Sequence, residues 1–315
     1  MKTALVTGAS GFVGRHLTDF LSGKKYRVIA THIADLNSSI PKQAPVTWKS
    51  LDVTDRTAVF RLIKKFQPQT IYHLAAQSVP RLSWKIPEET LRINVGGTLN
   101  ILEAIRRYSP SSRLIFTSTN LVYGRTFRSI NQVSETDLCY PENPYAMSKY
   151  LAELACFNYA SRHQSDVIIA RPFNHMGRGQ SEAFVFSDWC RQIVETEKGK
   201  RPPVLEIGNL TVYREFLHVD DVIRAYDELA SSGKKGETYN ICTGESILLT
   251  HYIDYLLGQA KIPMKYEIKT DRLRTDDPPY IGGNPNKIHG LNWRPEKTAY
   301  EALHEMLTEY REKIQ

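Results

Sequence analysis

No apolar run in the 315-residue chain approaches the roughly 20 residues that a membrane helix needs. The opening "MKTALVTG" turns polar too soon to read as a secretory signal. Cysteine is scarce. Cys139, Cys156, Cys190 and Cys242 form no C-x-x-C pair, and no histidine cluster accompanies them. Neither a metal site nor a disulfide framework is expected, and the thiols read as free in a reducing cytoplasm. The net charge is +7, yet Lys and Arg never gather into a block or an aromatic-and-basic stripe. That argues against nucleic acid and suits an anionic small molecule. Internal repeats and low-complexity segments are absent as well.

What is present is an alternation. Short apolar runs read as strands at 3–7, 27–31, 46–50, 70–76, 113–119, 166–172 and 238–244. Most are continuously apolar at their centres, which fits strands covered on both faces. Helical patterns lie between them, among them 87–108 and 145–162. The expected fold is α/β, a doubly wound parallel sheet. After Arg171 the rhythm breaks. Residues 1–172 with about 236–260 read as the sheet domain, and 173–235 with 261–315 as a smaller lobe. "RPP" (201–203) and "DDPPYIGGNPN" (276–286) read as loops of that lobe.

"VTGASGFVGRHL" spaces Gly8, Gly11 and Gly14 as G-x-x-G-x-x-G between the first strand and a helix. Gly8 permits the tight turn, Gly11 a close approach to a pyrophosphate, and Gly14 helix-on-strand packing. Phosphates then sit on the positive end of the helix that Phe12 and Val13 begin. At the end of the second strand, an acid would read a ribose hydroxyl and an Arg a 2′-phosphate. Thr31, His32 and Ile33 stand there, and Asp35 comes late. His32 reads either as a phosphate contact or as a solvated loop residue, so NADH and NADPH both remain open. Asp52 and Val53 suit an adenine edge. Leu74, Ala75 and Ala76 are small or apolar residues where another strand end passes the nucleotide.

"NPYAMSKY" places Tyr145 and Lys149 at i and i+4 on one helical face, with Pro144 to start the helix. A lysine ammonium beside a phenol is expected to lower the phenol's pKa from about 10. Tyr145 then becomes a proton donor and acceptor near neutrality. Thr119, 26 residues upstream at a strand end, gives a third contact to the same substrate oxygen. Met147, Leu151, Leu154 and Phe157 form an apolar stripe on the same helix, read as core or as a homodimer face.

Together these segments, with "HLAAQS", "INVGGTLNILEA" and "YREFLHVDDV", resemble the extended short-chain dehydrogenase/reductase superfamily along essentially the whole chain. The resemblance implies a Rossmann-type domain holding a nicotinamide nucleotide and a smaller C-terminal lobe holding a nucleotide sugar. It also implies that Asn94 supports the site near Lys149. "ARPFNHMGRGQ", "GNLTVYREF" and "RLRTDDPPYIGG" are similar to the GDP-4-dehydro-6-deoxy-D-mannose reductases, which form GDP-D-rhamnose. That likeness implies substrate contacts by Asn120, Asn174 and Val185, diphosphate contacts by Arg214 and Arg274, and a ribose contact by Asp277. Paired arginines can neutralise a diphosphate by forked hydrogen bonds. Arg178 and Glu215 depart from that family's usual Pro and Asp.

Leu121 stands two residues beyond Thr119. Related sugar 4,6-dehydratases carry an acid there, and the GDP-fucose-forming epimerase-reductases a cysteine. Leucine neither takes nor gives a proton, so reduction of a GDP-linked 4-keto-6-deoxy sugar is the expected reaction. A 4-epimerase with tightly held NAD remains as the alternative, as do GDP-6-deoxytalose- and deoxyheptose-forming reductases. A dinucleotide-binding sensor without turnover is the reading from another class.

Overall fold

The computed structural model describes residues 2–33, 46–273 and 277–314. Seven parallel strands form the main sheet: β1 (Thr3–Thr7), β2 (Arg27–His32), β3 (Val46–Ser50), β4 (Thr70–His73), β5 (Arg113–Thr117), β6 (Asp166–Pro172) and β7 (Thr238–Ile241). They lie in the order β3-β2-β1-β4-β5-β6-β7. The strand order reverses beside β1, so the ends of β1 and β4 open a crevice for a ligand.

Side chains alternate across the sheet, and both faces are buried. Leu5, Ile29, Ile71, Leu114 and Ile169 face the helices Arg56–Phe66, Gly97–Tyr108 and Pro144–Arg162. Val6, Ala30, Tyr72, Ile115 and Ala170 face Phe12–Gly23 and Val219–Ser232. Continuous apolar runs are what such two-sided burial requires. β4, β5 and β7 are shorter than expected, ending at His73, Thr117 and Ile241.

The expected helix over 87–108 is three pieces: Pro87–Leu91, a wider π-helical turn at Arg92–Gly96, and Gly97–Tyr108. Such turns re-aim side chains and gather at functional sites. This one carries Asn94.

The lobe has its own core, in which Phe186, Trp189 and Ile193 pack with Leu303 and Leu307. Its boundary differs from the expected one by two helices. Leu249–Gly258 sends Tyr252, Ile253 and Leu256 into this core and not the sheet's. Val219–Ser232 packs Val222, Tyr226 and Leu229 on the sheet. Chain order alone does not show which apolar face meets which partner. A four-stranded sheet, in the order Ile247–Leu248, Tyr213–Arg214, Tyr280–Gly283, Gln132–Val133, ties the lobe to the segment after β5.

All four cysteines are unpaired. Among the described residues no helix is long and apolar enough to cross a membrane.

Candidate active site

The glycine loop is built for close approach. Gly8 has φ +69°, and a Cβ there would stand 2.8 Å from the backbone nitrogen of Ala75. A Cβ on Gly14 would collide with the loop's own backbone at Gly8 and Ala9. Gly11 caps the helix Phe12–Gly23 with no side-chain hydrogen bond and no acidic residue in the first turn. The free N–H groups of that turn therefore face the crevice with their positive field uncancelled, the condition for binding a pyrophosphate.

A chain of hydrogen bonds links this loop to the π turn. The Ala75 N–H donates to Thr7 Oγ1 at 3.2 Å, and Thr7 Oγ1 lies 2.7 Å from His73 Nδ1. His73 Nε2 lies 3.2 Å from Thr98 Oγ1, which donates to the Asn94 carbonyl at 2.6 Å. Burial, with Lys149 nearby, pushes His73 down to about 3, so it stays neutral and serves as a structural pin. Asn94 accepts from the Gln77 N–H at 2.8 Å and donates to Ser148 Oγ at 2.8 Å. The π turn thus joins the end of β4 to the helix that carries Tyr145.

That helix, Pro144–Arg162, starts as expected: Pro144 is in its first turn and Asn143 accepts the Ala146 N–H at 2.8 Å. Tyr145 and Lys149 are both buried. The phenol is paired with the Thr119 hydroxyl, which also accepts the Leu121 N–H at 3.2 Å. Tyr145, Thr119 and Lys149 are therefore brought together at the end of β5.

One expectation about them is reversed. Burial pushes Tyr145 up to about 12, and only Thr119 pulls it back. Lys149 gives the phenol no hydrogen bond. Its Nζ donates to the Thr117 carbonyl at 2.5 Å, and burial lowers it to about 8. Desolvation outweighs the attraction that i,i+4 spacing suggested. Among the described residues no acid enters the causes of the Tyr145 shift.

Several supporting residues escaped sequence reasoning. Ser83 Oγ accepts the Tyr145 N–H at 3.1 Å, and Ser148 Oγ donates to the Tyr145 carbonyl at 2.7 Å. Glu153 and Arg171 form a buried ion pair at 2.6 Å, which holds the helix to β6. Ser148 and Glu153 lie on the Tyr145 helix and were visible in principle. Ser83 and Arg171 come from elsewhere and carried no local signal.

The remaining predicted residues divide. Val53 packs under Gly97, where a Cβ would meet it at 2.7 Å. Asp52 closes its own turn, accepting from Thr54 N and Oγ1 at 2.8 Å each. His32 is buried against Trp48, which removes the solvated-loop reading. Leu74 continues β4 with its N–H on the Thr7 carbonyl, and Ala76 follows Ala75. Phe12 stacks on His175 of the lobe at 6.2 Å, while Val13 packs at the edge of the sheet core. Asn120 is buried, and its amide nitrogen has no hydrogen-bond partner among the described residues. Asn174 Nδ2 donates to the Glu215 carbonyl at 3.1 Å, and Val185 begins the helix Val185–Glu197. Arg214 and Asp277 are paired with each other at 2.8 Å. Arg274 and Asp35 lie outside the described residues.

The apolar stripe is not core: Met147, Leu151 and Leu154 are 40%, 40% and 46% exposed, and only Phe157 tucks in.

Known proteins resemble the chain along its whole length. A curated relative, GDP-6-deoxy-D-mannose reductase of Pseudomonas aeruginosa, is 31% identical over 98% of this chain and 97% of its own. The solved structure of RMD from Pseudomonas aeruginosa complexed with NADPH matches with a TM-score of 0.86 at 30% identity, over the whole of both chains. The Thermus thermophilus UDP-glucose 4-epimerase complex with NAD matches with a TM-score of 0.86 at 26% identity, over 98% of this chain and 99% of that one. The family model described as GDP-mannose 4,6 dehydratase matches residues 5–306. The chain therefore belongs to the GDP-mannose 4,6-dehydratase family.

Proposed function

We propose that this member of the family is a reductase. It reduces the C4 ketone of GDP-4-keto-6-deoxymannose to GDP-D-rhamnose, using NADPH or NADH. The observation that carries the reading is the end of β5. There Thr119 and Tyr145 present paired hydroxyls, while Leu121 stands where a dehydratase needs an acid. The P. aeruginosa relatives, one a GDP-6-deoxy-D-mannose reductase and the other solved with NADPH, support the same choice.

The residues present fit a dinucleotide. A Cβ at Gly8 would push the loop off the backbone of Ala75, and the helix after Gly11, with no side-chain cap, offers its N–H groups. A nicotinamide bound there supplies a hydride to C4. Tyr145 gives its phenolic proton to the ketone oxygen, Thr119 orients that oxygen, and the Lys149 ammonium offsets the negative charge left on the phenol. Asn120 and Asn174 supply amide groups to the sugar, and Val185 an apolar wall. Arg214 with Arg274 takes the diphosphate, and Asp277 the ribose. Arg214 leaves part of its pairing with Asp277 to do so.

The exposed stripe of Met147, Leu151 and Leu154 is the homodimer face in this reading. The unpaired thiols suit the cytoplasm.

The test is to supply GDP-4-keto-6-deoxymannose and follow the absorbance of reduced nicotinamide. Consumption with a GDP-6-deoxyhexose as product is expected. Purified protein that carries NAD, consumes none and interconverts C4 epimers would replace this reading with the epimerase. Size-exclusion chromatography with light scattering tests the dimer.

A further inference from the structure

Glu215 follows the strand Tyr213–Arg214 and is completely buried. Its carboxylate is held mainly by backbone N–H groups, with the Thr243 side chain beside them. Oε1 accepts the N–H groups of Thr243 and, at 3.2 Å, of Gly244. Oε2 accepts the Gly283 N–H at 3.0 Å. Its own carbonyl accepts from Asn174 Nδ2. One side chain thus ties together the turn after β7, the end of the lobe strand Tyr280–Gly283, and the strand that carries Arg214. The fit is tight, since a Cβ at Gly283 would stand 2.6 Å from the Phe173 ring and 2.8 Å from Cys242 Sγ. A carboxylate can receive all three N–H groups, whereas an amide has only one acceptor oxygen.

We propose that Glu215 is a positioning residue for the nucleotide-sugar end of the site. Its carboxylate locks the turn at 243–244 and the strand end at Gly283 onto the Arg214 strand. It thereby sets where the Arg214–Asp277 pair and Asn174 stand. The proposal rests on the reading of that region as the GDP-sugar site.

A pH readout follows from the same geometry. Burial pushes Glu215 up to about 7, against the pull of its backbone donors. Cys242, just past the end of β7, and Tyr252 of the helix Leu249–Gly258 are pushed up by burial and stay protonated there. Arg214 stays charged beside Asp277. Protonation puts an O–H donor against N–H donors, so the clamp opens as pH falls through about 7.

The experiment compares wild type, Glu215→Gln and Glu215→Asp, with GDP as probe by calorimetry from about pH 6 to 8.5 and NADPH as control. Wild type should bind GDP more weakly as pH falls. E215Q should bind about tenfold more weakly at the upper end and show no extra pH dependence; titration of the phosphate itself is common to all three. E215D, which keeps the charge, should recover part of the affinity, and NADPH should bind all three alike. In turnover the KM for the keto sugar should rise with kcat nearly kept. An E215Q protein with wild-type GDP affinity and KM at every pH overturns the proposal. Wild type that fails to bind GDP overturns it through the substrate reading it rests on. Amide exchange separates the two cases: E215Q must speed exchange at Gly244 and Gly283 whatever the substrate, and no acceleration removes the clamp itself.

Discussion

Lys149 offers the sharpest prediction because its environment departs from what its spacing suggested. The ammonium is buried, donates to the Thr117 carbonyl, and is lowered to about 8 by desolvation. Its charged fraction therefore falls from about nine-tenths near pH 7 to about one-tenth near pH 9. In the proposed mechanism that charge offsets the phenolate left on Tyr145, whose own pKa of about 12 lies too high to contribute a limb there. The rate should be level below about pH 7.5 and fall about tenfold per pH unit above about 8.5. The assay is kcat/KM for the reduced nucleotide, at saturating keto sugar. It reports ionisations of the enzyme–keto sugar form that the nucleotide meets. Lys149→Met should be slow and lack the limb. Lys149→Arg, which keeps its charge, should move the limb out of range. Glu153→Gln removes an anion that pulls Lys149 upward, so its limb should appear at lower pH. A wild-type profile level to about pH 9.5, or a limb that survives in the Met variant, refutes the assignment to Lys149.

Tyr145→Phe should lose turnover by about 10²–10⁴-fold and keep nucleotide affinity, measured by fluorescence titration. Its melting temperature should hardly move, because Thr119 keeps the Leu121 N–H. Gly8→Ala puts a Cβ 2.8 Å from Ala75 N at a φ of +69°, so nucleotide binding should be lost before folding is. An unchanged nucleotide Kd counts against the cradle. Arg171→Met leaves Glu153 buried and unpaired, which costs about 3–5 kcal/mol. The chemical denaturation midpoint should fall accordingly, and adding Glu153→Leu should recover much of the loss.

Much of this molecule was written in local pattern. Continuous apolar strands alternating with helical stretches mean a parallel sheet with both faces covered, because backbone geometry and desolvation leave few other solutions. The glycine spacing, Pro144 with Tyr145 and Lys149, and the leucine after Thr119 were legible because each acts within a few residues of itself. Tertiary structure decided whatever depends on neighbours distant in sequence. Burial reversed the expected shift of Tyr145 and turned Lys149 to Thr117. The π turn, invisible in a helical repeat, aimed Asn94 at Ser148. The apolar stripe met solvent, and two helices exchanged cores. In the sequence Glu215 was only a departure from the family's usual Asp; the fold brought three backbone donors to it. Hydrogen-bond direction and desolvation belong to the space around a group, and a chain's order does not contain that space.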